Sequence, residues 1–279
     1  MHGIGGNRQR FREAARAERP DLALLCLLIA AEAEPGAGGA AIDEAQIELD
    51  RLAGLMPFRP ADGARGWARA VGDLLGERHG FHGTPADYRR LESSLLTHVL
   101  RRRRGLPILL SVVWTEVARR AGAPVYGVAL PGHFVVGFGD PAAKEGPVLA
   151  DPFDQGRVMT GMDAQALVAS TTGSPLTPGM LQPAPPMEIV LRILNNIRAW
   201  AAARPERSDV QLWALELSLL LPSHPARLRY ERAQLLVERG DFTRGAAELE
   251  AYAEVVAPVD PGVAESVQSQ ALAARAKLN

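Results

Sequence analysis

The sequence predicts an α+β domain followed by an all-helical module. Residues 107–121 are apolar on nearly every side for their first two turns, which is typical of a helix buried in the middle of a domain. Pro107 fits the first position of this helix, and Gly122 fits its C-terminal stop. Short segments of β-type residues follow at 125–130, 133–138 and 148–150. Beyond residue 186 the apolar residues recur only with a helical period. Helices are also predicted before residue 107, so the predicted strands are confined to one short region of a mostly helical chain.

Composition narrows the class of protein. The 279 residues include 31 Lys and Arg against 32 Asp and Glu, a formal net charge of −1. This length predicts about two domains. The near-zero charge argues against a nucleic-acid or membrane-surface binder, because no long-range field attracts phosphate or anionic lipid. A single cysteine excludes a disulfide framework and a cysteine-based zinc site. No apolar run approaches the roughly 18 residues of a membrane-spanning helix.

The longest apolar stretch, at 22–31, follows a region rich in arginine. This order of basic and then apolar residues resembles a secretory signal, but acidic residues interrupt the basic region. Asp21 is well placed as the N-cap of a helix. We therefore expect a buried helix, with a cleaved signal as the alternative. Cys26 lies in this helix and is expected to be an inert core thiol.

Four further helices are predicted before the central one. Residues 43–53 begin with a capping box of Asp43 and Gln46, and residues 64–78 contain an interior glycine at Gly72. A third helix starts at Thr84 as N-cap, followed by a proline and with Asp87 three positions on. The fourth is short and amphipathic, with Leu95, Leu96, Val99 and Leu100 as its apolar residues.

The short fourth helix runs into four consecutive arginines, Arg101 to Arg104. Cations favour the C-terminal end of a helix dipole, and Gly105 is expected to stop the helix. We interpret the run as a solvated helix end in which one arginine forms a salt bridge. The alternative is that the arginines bind an anion.

The segment 173–186, rich in Pro, Gly, Ser and Thr, predicts the domain boundary. We expect a first domain at 1–180, with its core at 84–160, and a helical module at 187–279. Gly240, Asp241 and Phe242, followed by Gly245, resemble the turn and second helix of a tetratricopeptide repeat.

His133 and Asp151 are the candidate functional residues. In an antiparallel hairpin with its loop at 139–146, the loop midpoint falls near the midpoint of these two residues, at 142. The spacing therefore predicts Cα atoms about 5 Å apart across the hairpin. A carboxylate beside an imidazole is the orienting half of a catalytic triad, although such a pair is often only a structural hydrogen bond.

Several motifs resemble the SirB1 family, which is bacterial and has a transglutaminase-like domain followed by tetratricopeptide-type helices. They are Leu-Pro-Gly-His-Phe from Leu130, Asp-Pro-Phe from Asp151, Arg-Arg-Gly-Leu-Pro-Ile-Leu-Leu-Ser from Arg103 and Gly-Phe-His-Gly from Gly80. The resemblance extends from about residue 20 to residue 255. It implies a papain-like core, with a central helix on a small antiparallel sheet, and a C-terminal tetratricopeptide-like module.

The resemblance also implies a site without a nucleophile. Active transglutaminase-like enzymes begin the central helix with a cysteine, and that position falls at or beside Pro107 here. His133 and Asp151 match the other two members, so they would be a vestigial dyad. Ser111, one turn after Pro107, is a weak candidate for a replacement nucleophile. His79, His82, His98 and His133 match no standard metal-site spacing, so we expect no metal and no cofactor.

These patterns favour a non-catalytic protein that acts in protein binding or regulation. We expect a protein or peptide partner, no nucleic acid and no membrane, and a cytoplasmic location. The alternative is an amide-cleaving or amide-transferring hydrolase that uses His133 and Asp151 with Ser111 or an unrecognised nucleophile.

Overall fold

The computed structural model of the chain describes residues 4–36, 38–57, 63–143 and 146–277. The chain forms two compact units, Met1–Ile193 and Leu194–Asn279. The α-helices within the described residues are α1 (Ile4–Ala15), α2 (Leu22–Ala33), α3 (Gly38–Gly54), α4 (Gly63–Val71), α5 (Leu96–Arg102), α6 (Pro107–Arg120), α7 (Gly161–Thr172), α8 (Pro186–Ala202), α9 (Ser208–Leu220), α10 (Arg227–Glu238), α11 (Phe242–Val256) and α12 (Pro261–Ala276). The predicted α+β class with a C-terminal helical module is confirmed.

The helix predicted at 22–31 is α2, and it is buried. Asp21 caps it by accepting a hydrogen bond from the backbone N–H of Leu24 at 2.9 Å. The preceding helix, α1, was not predicted. It packs on α2, and Arg8 of α1 forms a 2.7 Å ion pair with the buried carboxylate of Glu32.

One predicted helix start is wrong. The helix α3 begins at Gly38, so Asp43 and Gln46 lie inside it and do not cap it. The start predicted at Thr84 is present, with Asp87 as its capping-box partner, but it opens 3₁₀ turns at Pro85–Arg89 and Leu91–Ser94 before α5 begins. Gly105 does not stop α5, because Arg103 ends it in the left-handed region at φ +57°.

The stretch predicted as one helix at 64–78 changes character at Gly72. It is α-helical through α4 and then π-helical over Gly72–Arg78. At Gly76 a Cβ atom would lie 1.9 Å from the backbone oxygen of Gln155. Glycine therefore lets the backbone of the π-helix contact the turn that follows Asp151.

The sheet has four antiparallel strands in chain order: β1 (Val125–Val128), β2 (Val135–Phe138), β3 (Val148–Asp151) and β4 (Arg157–Val158). The first three were predicted, and β1 and β2 are shorter than expected; β4 was not predicted. Residues 144–145 of the predicted hairpin loop lie outside the described residues.

The central helix, α6, packs on β1 and β2. It is buried along most of its length, from Pro107 through Ala118. Pro107 occupies its first turn and Gly122, at φ +86°, follows its end, as the sequence predicted. The helix thus lies in the core of the first unit, and Ser111 in its second turn contacts the backbone of Phe134, next to His133.

The second unit is helical throughout its described residues. The helices α10 and α11 form an antiparallel pair joined by Gly240, at φ +85°, and Asp241 caps α11. A Cβ atom at Gly245 would lie 2.5 Å from the side chain of Val237, so this glycine permits the close helix contact. Ser208 is the first residue of α9, and no side-chain hydrogen bond caps that helix.

No helix among the described residues is long and apolar enough to cross a lipid bilayer.

Candidate functional site

His133 and Asp151 contact each other directly. Nε2 of His133 lies 3.0 Å from Oδ1 and 2.9 Å from Oδ2 of Asp151. A carboxylate only accepts hydrogen bonds, so Nε2 carries the proton and donates it. In the neutral ring Nδ1 is then the free acceptor, and it has no hydrogen-bond partner among the residues that the structure describes.

The register of the hairpin is close to the predicted one. Val136 pairs with Ala150, so the midpoint of the pairing is (136 + 150)/2 = 143, against (139 + 146)/2 = 142.5 for the predicted loop. Continuing that register sets Asp151 opposite Val135, two residues beyond His133. The two residues are therefore neighbours as predicted, and His133 reaches the carboxylate from the turn that precedes β2.

That turn is held by a distant arginine. The backbone N–H of His133 donates to the carbonyl of Leu130 at 3.2 Å. Nη2 of Arg192, on α8, donates to the carbonyls of Leu130 and His133 at 3.0 and 2.8 Å. The guanidinium also lies 5.6 Å from the ring centre of Phe134, within cation–π range. Burial lowers the pKa of Arg192 from its ordinary value. Arg192 is thus a positioning residue for the imidazole.

Two aromatic rings extend from the histidine toward the surface. The ring of Phe153 lies 5.9 Å from the imidazole, and the ring of Tyr88 lies 6.2 Å from Phe153, both edge to face. Tyr88 is 51% exposed. Gly83 lies beneath Phe153, where a Cβ atom would be 2.0 Å from the ring. The row of His133, Phe153 and Tyr88 therefore makes the site partly accessible to a partner.

The expected cysteine position holds Pro107, at the start of α6. Leu106 and Pro107 are both buried. The N–H groups at the start of a helix favour an anion such as a thiolate. Here that favourable position holds only apolar side chains, which can attack nothing.

A buried carboxylate fixes the segment before α6. Asp87, 1% exposed, accepts hydrogen bonds from Nη2 of Arg104 at 2.9 Å and from the backbone N–H of Thr84 at 2.9 Å. Ser93 donates to its other oxygen at 3.2 Å, and Arg102 lies 3.7 Å away. Asp87 therefore joins the 3₁₀ turns to the chain that enters the central helix.

The network also sets the charge of that carboxylate. Burial alone would raise the pKa of Asp87, but the hydrogen bonds from Arg104 and Thr84 and the positive charge of Arg104 outweigh it. The pKa is therefore lowered, and the carboxylate is ionised at neutral pH. Sequence reasoning placed one salt bridge among Arg101 to Arg104; Arg104 forms a hydrogen-bonded one, and Arg102 a second, looser one.

The structure does not bring Ser111 to the pair. Its side chain is fully buried, and its hydroxyl donates to the carbonyl of Phe134 at 3.3 Å. Ser111, the weak candidate for a replacement nucleophile, is therefore engaged with the backbone and makes no hydrogen bond to His133 within the described residues. Cys26 is equally remote: burial, with the charges of Glu116 and Asp21, raises the pKa of its thiol far above the ordinary value.

The four candidate histidines lie apart. Nδ1 of His82 contacts the Gly80 carbonyl at 2.9 Å, and Nε2 of His98 contacts Glu34 at 2.7 Å. His79 ends the π-helix. Within the part of the chain that the structure describes, no three His, Cys, Asp or Glu side chains converge as a metal site would require.

Sequence reasoning missed Arg192. It lies 59 residues after His133, and no local pattern distinguishes it from other helix-surface arginines. Asp87 was recognised only as a helix-start residue. The signal that could have identified it is the combination of an acidic residue three positions after Thr84 and a run of arginines that needs a counter-charge.

Family models match both halves of the chain. Residues 43–195 match the transglutaminase-like superfamily, and residues 197–277 match a tetratricopeptide repeat.

Curated relatives match more than half of the chain. A UPF0162 protein of Xylella fastidiosa strain 9a5c is 30% identical over 67% of this chain and 66% of its own length, just under two thirds. A UPF0162 protein of Pseudomonas aeruginosa is 33% identical over 71% of this chain and 72% of its own. F-box only protein 21 of Mus musculus is 25% identical over 57% of this chain, which spans 26% of that protein.

Proposed function

The chain belongs to the transglutaminase-like superfamily, and from this premise we propose that it is a non-catalytic member that binds a protein or peptide partner. The observation that carries the proposal is the start of α6. Pro107 stands where the resemblance expects a cysteine, and its side chain has no group that can attack an amide. A histidine–carboxylate pair orients and activates a nucleophile but does not replace one.

The surroundings of His133 support the proposal that no other residue replaces the missing cysteine. No thiol or hydroxyl among the described residues hydrogen-bonds to the ring of His133, and Ser111 donates to the Phe134 carbonyl instead. The remaining features of the site suit recognition. Tyr88 and Phe153 offer aromatic surface beside a half-buried imidazole that can accept a hydrogen bond at Nδ1.

The second half of the chain supports the same proposal. It matches a tetratricopeptide repeat, and helical repeats of this kind generally present surfaces to protein partners. We further propose the SirB1 family as the branch of the superfamily, with a transglutaminase-like domain at 1–180 and a helical module at 187–279. A bacterial cytoplasmic regulator that has lost its catalytic chemistry fits these features.

Chemical labelling tests the non-catalytic part. The native full-length chain is treated with a fluorophosphonate probe for reactive serines and with iodoacetamide for thiolates. Glutaminyl peptides are supplied with a labelled amine to detect amide transfer. We expect no labelling and no transfer. Labelling that disappears in Ser111→Ala, or turnover that disappears in His133→Ala, would falsify the proposal and favour the hydrolase alternative.

Photocrosslinking tests the binding part. A benzophenone amino acid is placed at Tyr88 in one variant and at Ile47, which is 66% exposed on α3, in a matched control. Irradiation in cells of the source organism should give discrete crosslinked proteins from position 88 and not from position 47. Identical crosslinks at both positions, or none at position 88, would contradict a partner site beside His133.

A further inference from the structure

The run Arg101 to Arg104 divides into two pairs. Arg102 and Arg104 face the buried carboxylate of Asp87. Arg101 and Arg103 line a cavity of about 300 Å³ instead. Arg103 has a left-handed backbone, at φ +57° and ψ +28°, which is rare for a residue with a side chain. This conformation ends α5 and turns the chain before Arg104. Only half of the run is therefore explained by the Asp87 network.

The cavity lies between α3 and α5 and has two rims of opposite charge. Arg101 and Arg103 form the basic rim on the α5 side, and Glu44 and Glu48 form the acidic rim on α3. The floor consists of Ala41, Ala45, Thr97 and Leu100. The floor is thus largely apolar. The volume of the cavity is at the small end of the range for ligand sites.

Several polar groups of this cavity lack a partner. Neither Arg101 nor Arg103 makes an ion pair within the described residues, and the same holds for Glu44. Thr97 is only 5% exposed, and its hydroxyl has no hydrogen-bond partner in the described structure. That oxygen is covered by the surrounding chain, so Thr97 contributes to the wall of the cavity while Arg101, Arg103 and Glu44 are the groups left for a ligand.

Glu48 is the exception on the acidic rim. Nε and Nη2 of Arg51 donate to its two oxygens at 2.6 and 2.8 Å. That hydrogen bonding lowers the pKa of Glu48, and the charges of Arg51, His79 and Arg103 lower it further. Glu48 therefore stays ionised, with its charge compensated by Arg51, while Glu44 keeps an unpaired carboxylate. The two carboxylates are four residues apart on one helix face, and Glu44 is the one that lacks a cation.

We propose that this cavity binds a small zwitterion with an apolar body, such as a free amino acid or a dipeptide. Its carboxylate lies against Arg101 and Arg103, and its ammonium group lies against Glu44 and Glu48. The apolar body covers Ala41, Ala45 and Leu100. This site is separate from the His133 site, and the proposal does not depend on the function proposed there.

Titration with three dipeptides tests the charge requirement. The full-length chain is titrated calorimetrically with alanyl-leucine, with its N-acetyl form and with its C-terminal amide. We expect saturable binding of alanyl-leucine and at least about tenfold weaker binding of both capped forms, because each lacks one charge. Absence of saturation by alanyl-leucine up to millimolar concentration would overturn the proposal. Equal binding of the N-acetyl form would also overturn it, by indicating a simple anion site.

Two variants separate binding from folding. Arg103→Gly removes the guanidinium and suits the left-handed backbone, so it should abolish binding without lowering thermal stability. Glu44→Gln should weaken the binding of alanyl-leucine at least about tenfold and leave the binding of the N-acetyl form unchanged. Arg69→Gln, an exposed arginine on α4, is the control and should bind as the wild type does. Unchanged binding in Arg103→Gly would contradict the assigned site.

Discussion

The carboxylate of Asp87 and the guanidinium of Arg104 meet at 2.9 Å although the two residues are 17 positions apart in the chain. The contact ties the 3₁₀ turn after Thr84 to the segment that enters α6. Because α6 starts three residues after Arg104, the pair fixes the backbone that leads into Pro107.

Breaking that pair is expected to destabilise the first unit. Asp87→Asn leaves Arg104 and Arg102 without their counter-charge in a largely buried place, which should reduce the free energy of unfolding by about 2–4 kcal/mol. Urea denaturation measures the change. Asp154→Asn is the matched control, since its partner Arg157 is about half exposed, and it should cost less than about 1 kcal/mol. Equal losses in the two variants would contradict the role given to Asp87.

The same carboxylate predicts how stability depends on pH. The pKa of Asp87 is lowered in the folded state, so its contribution is complete above the unfolded value of about 3.9 and is lost as the pH falls through the folded value. The stability difference between the wild type and Asp87→Asn should be constant from about pH 5 to 7 and should shrink below about pH 4. Urea titrations across this range measure it. A difference that grows as the pH falls would contradict the sign.

Loss of Arg192 should loosen the His133 turn. In Arg192→Met the carbonyls of Leu130 and His133 lose a charged donor worth about 1.5–3 kcal/mol. Amide hydrogen exchange of the His133 N–H should accelerate by about tenfold or more. Arg65→Met, at an exposed position on α4, should leave that rate unchanged. Unchanged exchange in Arg192→Met would show that the turn holds its shape without the arginine.

A methyl group at Gly76 should disrupt the contact between the π-helix and the turn after Asp151. The added Cβ would lie 1.9 Å from the Gln155 oxygen, so Gly76→Ala should lower stability by about 2–4 kcal/mol through forced backbone movement. Gly39→Ala, in α3 with open space around it, should instead raise stability by up to about 1 kcal/mol. Thermal unfolding of both variants measures the two opposite effects.

The thiol of Cys26 should be unreactive toward disulfide reagents in the native chain. Its burial raises its pKa, so almost no thiolate exists at pH 8 and a disulfide reagent cannot reach it. Ellman's reagent should react only after denaturation. In Ile47→Cys the new, exposed thiol should react at once in the native state. Rapid native labelling of the wild type would mean that α2 opens readily.

Patterns within single segments were sufficient for much of the fold. The helix α6 was predicted from its apolar surface, its proline and the following glycine, since these are local properties. The strands β1 to β3 were found for the same reason. In contrast, β4 has two residues and is defined only by its pairing with β3, so no local signal marks it.

Errors arose where tertiary contacts outweigh local preference. Asp43 suits a helix cap, yet α3 begins five residues earlier. Gly105 suits a helix stop, yet Arg103 is the residue that takes the left-handed conformation. Arg104, which follows it, donates two hydrogen bonds to Asp87. At Gly105 a Cβ atom would lie 2.7 Å from the side chain of Val99, so this glycine serves packing rather than termination.

The sequence by itself determined the α+β class, the order of the two halves, the candidate pair His133 and Asp151 and the absence of a cysteine beside Pro107. Only the tertiary structure decided the register between β2 and β3, the engagement of Ser111 by the Phe134 carbonyl and the support of His133 by Arg192. The physical reason is that periodicity and capping act within a few residues of the chain. Hydrogen bonds between residues 23 or 59 positions apart depend on how the elements pack.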